Sequence, residues 1–326
     1  MTTKFTRWLC VGAIAAAMLS CRSNAQQPPA PIIGLLDSSS ATPFKLSTFY
    51  EGLKVEGFSR NQNVTVEYHS AENDYARLPQ LAADLIDRGV AMITALGAPA
   101  AIAAKGATTR IPVVFAISAN PIEVGLVASL NHPGVNITGV TAAATGREQK
   151  RLELLHATIP DAPIIGFLLN PHNLQQDIQI KNALASAQKL GVQIKLVRAS
   201  TAGDFGSGFA ELVQSRTGSL VIADDEFFLG ASAELGSLAL RRNIAAIFEG
   251  AAFTAAGGLM SYGTRFAELY HQAGVYSGMV LAGAAPAELP IYQSTRVEMI
   301  ANLRTAKTLG IMLPQPIIDQ TTTLIR

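Results

Sequence analysis

The feature that most constrains the fold of this 326-residue chain is an internal repeat of a strand-and-helix pattern. PIIGLLDSSS, from Pro31, returns as PIIGFLLNPHN, from Pro163, and each is followed by a helical stretch ending at a glycine, Gly57 and Gly191. NVTVEYHSAENDY is matched by GVQIKLVRASTAGDF, DLIDRGVAMITALG by ELVQSRTGSLVIADD, and IPVVFAISANP by IAAIFEGAAF. Four elements recurring in one order predict two similar lobes, each a doubly wound parallel α/β sheet. The strand runs are apolar without alternation, as expected where helices cover both faces of a sheet.

Within the first copy, helices are expected over Lys45 to Gly57 and over Tyr75 to Asp87, where Leu78, Leu81, Leu85 and Ile86 share one stripe. Pro99 opens a short Ala-rich helix. From Ile111 to Thr141 the reading is a buried strand, a loop ending at Asn120-Pro121, a short helix, a Pro133-Gly134 turn and a second strand from Asn136 to Val140. The tail is expected to cross between the lobes. GGLMSYG from Gly257, a helix from Arg265 to Leu281 and a strand from Leu289 to Ser294 extend the first lobe, and VEMIANLRTAKTLGIMLP returns to the second, with Pro314 stopping its helix. The first lobe is then 31–141 with 259–295, the second 142–258 with 296–326, joined by a hinge of several crossings.

Residues 1–25 read as an export segment, with Lys4 and Arg7 ahead of an apolar run from Trp8 to Leu19 that is too short to span a bilayer comfortably. Two processing routes fit: cleavage after Ala25, or lipidation of Cys21, since Met18-Leu19-Ser20-Cys21 resembles a bacterial lipobox. Residues 26–30 follow as a spacer. Cys10 and Cys21 are the only cysteines, so the folded body has no disulfide, thiol nucleophile or cysteine metal ligand. Without the leader, 22 basic residues face 24 acidic ones, which gives no electrostatic footprint for nucleic acid.

Motifs of catalysis and phosphate binding are missing: there is no Gly-x-Ser-x-Gly elbow, His-Glu-x-x-His helix, Walker loop or Gly-x-Gly-x-x-Gly turn after a strand. His69, His132, His156, His172 and His271 are scattered with no pair at ligand spacing, so neither a metal nor a cofactor is expected. Doubly wound sheets bind ligands outside the carboxyl ends of their strands, and the repeat nominates loops in pairs. Asp37 to Ser40 pairs with Asn170 to His172, Gly97 to Pro99 with Asp224 to Glu226, and Ser118 to Asn120 with Glu249 to Ala252.

Backbone N–H groups and hydroxyls of Ser38, Ser39 and Ser40, with those at Gly97, Ala98 and Pro99, are suited to a carboxylate at a helix start; for the serines a plain helix cap is the competing role. Asp224, Asp225 or Glu249 suits an ammonium or hydroxyl, against the alternative that a carboxyl caps the next helix. Ser118, Asn120, Asn170 and His172 complete the candidate set. Asn120 serves either a ligand or the turn before Pro121.

Taken together, ARLPQLAADLIDRGVAMITALGAPAAIAAKGATTRIPVVFAISANPIEVGLVASLNHPGVNITG, LNPHN and GGLMSYGTRFAELYHQAGVYSGMVLAGAAPAELPIYQSTRVEMIANLRTAKTLGIMLP resemble the ABC-transporter substrate-binding proteins that include tryptophan/tyrosine-type periplasmic components. The resemblance implies a type I periplasmic-binding fold, no catalysis, and delivery of a small polar or zwitterionic solute to an ABC permease in the inner membrane. A periplasmic location and a monomer are expected. The chain departs from the family where Ala98 replaces a common threonine and Asn120 a common aspartate; losing such a partner costs about 1.5 to 3 kcal/mol, enough to change ligand preference. Two other classes compete: a sensing module for a membrane receptor, and a carboxylate-dependent enzyme using Asp224, Asp225 and Glu249.

Overall fold

In the computed structural model the described residues are 29–40, 42–134, 136–142 and 146–326. The export segment over 1–25, Cys21 and most of the spacer lie outside them. In chain order the elements are β1 (Ile32–Asp37), α1 (Pro43–Val55), β2 (Thr65–Ser70), α2 (Leu78–Asp87), β3 (Met92–Leu96), α3 (Ala98–Ala107), β4 (Val113–Ile117) and β5 (Ile137–Thr141). Next come α4 (Arg147–Thr158), β6 (Ile164–Leu169), α5 (Gln176–Leu190), β7 (Gln193–Arg198), α6 (Gly203–Gln214), β8 (Ser219–Ile222), α7 (Glu226–Gly230), α8 (Ser232–Arg241), β9 (Ala245–Phe248), α9 (Ala251–Ala255) and β10 (Met260–Thr264). The tail holds α10 (Phe266–Leu281), β11 (Tyr292–Gln293), β12 (Val297–Asn302), α11 (Leu303–Thr308), α12 (Gln315–Asp319) and β13 (Thr323–Ile325).

Two sheets result, ordered β11-β5-β4-β3-β1-β2 and β13-β12-β10-β9-β8-β6-β7. Pairing is parallel except between β10 and β12. Each strand feeds two cores in alternation. Val113, Phe115 and Ile117 face Leu78, Leu85 and Ala101, while Val114 and Ala116 face Phe49, Leu53 and Leu269 on the other side. Burial on both faces is why these strands read as unbroken apolar runs.

The repeat extends one strand further than the sequence comparison suggested, since β5 and β10 hold the same place in their sheets. This corrects the placement of GGLMSYG: Met260–Thr264 pairs with β9 and β12 in the second sheet, so the chain crosses after Thr264. The helices that follow these two strands exchange lobes. α4 leaves β5 and buries Leu152 and Leu155 in the second core, whereas α10 leaves β10 and buries Leu269, Tyr270 and Ala273 in the first.

Two helix expectations also give way. Between β4 and β5 the chain forms a run of turns through Pro121 to Gly125, because Asn120 caps a local turn and Pro133 closes the segment before a helix forms. VEMIAN is strand β12, pinned between β10 and β13, and the helix begins only at Leu303 behind the Asn302 cap. Pro314 caps α12 and so begins a helix as well as ending a segment.

The crossings meet side by side. Ser294 donates its N–H to Thr141 O at 2.8 Å, and Arg265 donates to Arg296 O at 3.4 Å. Arg147, in the first turn of α4, donates to Thr264 Oγ1 and to Ser294 O, so one guanidinium ties the second and third crossings to the helix that follows the first.

Candidate functional site

The carboxyl ends of β1, β3 and β4 face those of β6, β8 and β9 across a cavity of about 1380 Å3. Of the residues nominated from sequence, Ala98, Pro99, Ser118 and Asn120 line it from the first lobe, and Asn170, His172, Asp224, Asp225 and Glu249 from the second. Two contacts bridge the lobes: Ser118 Oγ to Glu226 Oε1 at 3.3 Å, and Gln175 Nε2 to Glu123 Oε2 at 3.2 Å. The lobes therefore stand closed on one another along this cleft.

Ser38, Ser39, Ser40 and Gly97 are not in the lining, and the physical reason is visible in their hydrogen bonds. Ser38 N–H donates to Leu96 O and its Oγ accepts from Ala100 N at 3.0 Å, capping α3. Ser39 donates N–H and hydroxyl to Asp37 Oδ1, and its Oγ also accepts from Lys45 Nζ at 2.9 Å. Asp37, 1% exposed, takes Lys45 Nζ at 2.8 Å and the Tyr68 hydroxyl at 2.8 Å on its other oxygen. The end of β1 is thus a self-satisfied buried ion pair. Gly97, at φ +93°, has no room for a side chain: a Cβ would meet Ser38 Oγ at 2.6 Å and Glu226 Cγ at 3.3 Å.

In the second lobe Leu169 ends β6 where Asp37 ends β1, and Asn170, in the place of Ser38, donates its amide to Asp225 Oδ1 and Oδ2 at 3.2 and 3.3 Å. Asn173 Nδ2 adds a bond to Oδ2 at 2.7 Å, and Phe227 and Phe228 donate their N–H groups to Oδ1. Asp225 is the N-cap of α7, with both oxygens engaged. Burial still pushes its carboxyl above the usual range, against those hydrogen bonds.

Asp224 points the other way and pairs with Arg151, whose side chain is 0% exposed and whose Nη1 donates to Tyr262 O at 3.0 Å. Asp224 keeps 26% of its side chain exposed, and its N–H donates to Glu148 Oε1 at 3.1 Å. Burial, with Asp224 nearby, raises the Glu148 carboxyl to about 7. Burial raises Glu226 to about 7 as well, with Lys45 opposing and Asp37 and Asp225 adding to the rise. Glu249 is 4% exposed, its Oε1 is enclosed without a hydrogen-bond partner, and burial followed by the Asp224 charge holds its carboxyl well above the ordinary range.

Asn120 spends its amide on the turn: Oδ1 accepts from Ile122 N–H and Nδ2 donates to Glu123 Oε1, both at 3.0 Å. His172 is exposed at the rim. Sequence reasoning missed Arg147, Glu148, Arg151, Asn173 and Tyr75, the first three of which come from α4. The available signal was the charge-dense GREQKRLELLH directly after a predicted crossing, where a helix entering a second core must bury some of its own charges.

A family model described as ABC transporter substrate binding protein matches residues 37–325, and the chain belongs to that family. It is an exported solute-binding component of an ABC transporter, and such components are not catalysts. It is 26% identical over 263 residues to a tyrosine-binding protein of Clostridioides difficile strain R20291, covering 81% of this chain and 75% of that protein. Among solved structures it is similar to an ABC domain from Streptococcus pneumoniae in complex with L-Trp, at 24% identity and TM-score 0.80, covering 91% of this chain and 100% of the other. It is also similar to the ligand-free, open structure of a Clostridium difficile substrate-binding protein with adhesive properties, at 24% identity and TM-score 0.64, covering 91% and 99%. These likenesses establish the two-lobed fold.

Proposed function

We propose that the cleft encloses an amino-acid-like solute, which the closed lobes present to an ABC permease of the inner membrane. The observation that carries this reading is the pair of facing sheet ends bridged by Ser118–Glu226 and Gln175–Glu123 over a cavity with carboxyls in its wall. In such a cleft the solute's ammonium goes to Glu249, with Asp224 beside it, and its carboxylate to the N-terminus of α3 at Ala98. Asp225 and, after β1, Ser38 and Ser39 support the walls, since their groups are already satisfied.

The higher TM-score with the L-Trp complex than with the open structure, at equal identity, supports a closed arrangement. The related proteins bind tyrosine and tryptophan by their descriptions, which supports an amino-acid-like solute for this chain. The protein is taken to act as a periplasmic monomer, either free after cleavage at Ala25 or tethered through Cys21.

The test is a thermal-shift screen of the purified protein against amino acids, sugars, dicarboxylates and purines. A solute at 100 times its dissociation constant adds about 2.7 kcal/mol. Stabilisation by amino-acid-like solutes without turnover is expected. Stabilisation by sugars or purines alone would replace the proposed ligand class, and conversion of a hit to product would overturn the transport reading.

A further inference from the structure

We propose that the solute presents two cationic groups and carries net positive charge, as a basic amino acid or a diamine does; this rests on the solute-binding reading above. Six buried or half-buried carboxyls stand in or directly behind the cleft, Asp37, Glu148, Asp224, Asp225, Glu226 and Glu249, against three buried cations, Lys45, Arg147 and Arg151; the other charged lining residues, Glu72, Asp74, Glu123 and Lys189, are exposed. Half of the carboxyls are answered within the protein. Lys45 and Tyr68 hold Asp37, Arg151 holds Asp224, and two asparagine amides with two backbone N–H groups hold Asp225.

Glu148, Glu226 and Glu249 remain, with Arg147 as the one buried cation at the cleft not already paired with a carboxyl among the described residues. That guanidinium donates to Thr264 and Ser294 at the hinge, and among the described residues no ion pair within 4.0 Å joins it to a carboxyl. A second observation points to a missing partner. Glu249 is more than nine-tenths buried, lines the cavity, and encloses an Oε1 that no described residue satisfies. A buried acceptor left unmade is costly, and a charged one more so.

The surplus carboxyls sit on separate loops. Glu226 opens α7 and reaches the first lobe at Ser118, whereas Glu249 follows β9 beside Asp224. A neutral zwitterion cancels one carboxyl charge and adds another, leaving the imbalance as it was. A solute with two ammonium-type or guanidinium groups answers Glu226 and Glu249 separately. Burial first, and neighbouring carboxyl charges after it, raise the Glu226 and Glu249 carboxyls.

The experiment is isothermal titration of the protein at pH 8 with L-lysine, L-arginine and putrescine, in parallel with L-tyrosine, L-tryptophan, L-leucine and L-glutamate. At least one cationic solute is expected to bind ten-fold or more tightly than every zwitterion and than L-glutamate. The amino acids and putrescine separate the two sources: similar affinity for both shows that the α-carboxylate is dispensable, while preference for L-lysine or L-arginine shows that it is read, and either supports the proposal.

Glu249→Gln should weaken the best cation at least ten-fold while the melting of the ligand-free variant stays cooperative. Glu226→Gln gives an independent reading on the other carboxyl, with the same expected loss. Tighter binding of L-tyrosine or L-tryptophan than of any cation overturns the charge proposal and leaves solute binding intact. Unchanged affinity of both variants overturns it too, and binding of none of the seven probes overturns it together with the amino-acid-like reading.

Discussion

The two lobes wind five strands in the same order, yet the matching ends of β1 and β6 reach different electrostatic states. In the first lobe Asp37 has its own lysine, and the serine loop closes over the pair. In the second, Leu169 replaces that aspartate, so no such ion pair forms there, and the amide of Asn170, in the place of Ser38, holds Asp225 as a helix cap. The first lobe is thus electrically finished before any solute arrives, and the second keeps Asp224, Glu226 and Glu249 toward the cleft with too few cations. On the proposed reading, solute charge is read mainly by the second lobe.

Breaking the second lobe's internal pair should have the largest effect. Arg151→Met removes the buried partner of Asp224 and leaves Glu148 and Glu249 further uncompensated, so urea unfolding at pH 8 should lose about 3 to 5 kcal/mol. A loss below 1 kcal/mol would mean that the carboxyls rearrange to water and that the second lobe is not a closed network.

The next effect belongs to the first lobe, where α1 and the exchanged helix α10 cross closely enough that a Cβ on Gly274 would collide with the Phe49 carbonyl, and one on Gly52 with the His271 carbonyl. Gly274→Ala should cost about 2 to 3 kcal/mol in the same assay. Near-neutral behaviour would show that α10 is free to slide.

Glu226→Gln should work in the opposite direction, raising the stability of the ligand-free protein by about 2 kcal/mol at pH 8. The folded carboxyl holds its proton up to about 7, while the unfolded one lets go near the ordinary glutamate value. Stability from this group is therefore full below the unfolded value and is lost as pH rises through 7. The gain from glutamine should shrink toward pH 5, and a gain independent of pH would exclude the charge as its cause.

The smallest effect is expected for Asp225→Ala, which removes a cap and should cost about 1 kcal/mol of stability by urea titration. In a solute titration it should alter affinity less than Glu249→Gln does. The reverse ranking would return Asp225 to the ligand.

Much of this architecture was legible in the residues because a buried parallel strand has little freedom in composition: IIGLLD and IIGFLL announce themselves and each other. β10 was placed in the first lobe because Met-Ser-Tyr-Gly-Thr lacks that apolar density and the repeat could be followed only as far as IAAIFEGAAF. Its small residues accommodate close neighbours, with the Glu249 backbone passing directly beside Gly263. The site was legible as loops but not as roles. Three adjacent acids, Asp224, Asp225 and Glu226, look alike in sequence; the turn of the chain sends one to Arg151, one to a helix cap and one across the cleft. Arg147 and Arg151 were invisible because their partners are more than seventy residues away in sequence.

The most direct measurement of the central claim is the number of protons released on solute binding at pH 7, read from the dependence of calorimetric enthalpy on buffer ionisation heat. A cation that takes over Glu226 displaces the proton this carboxyl holds up to about 7, so net release is predicted, reduced in Glu226→Gln. Binding with no proton exchange, or with proton uptake, would contradict the account.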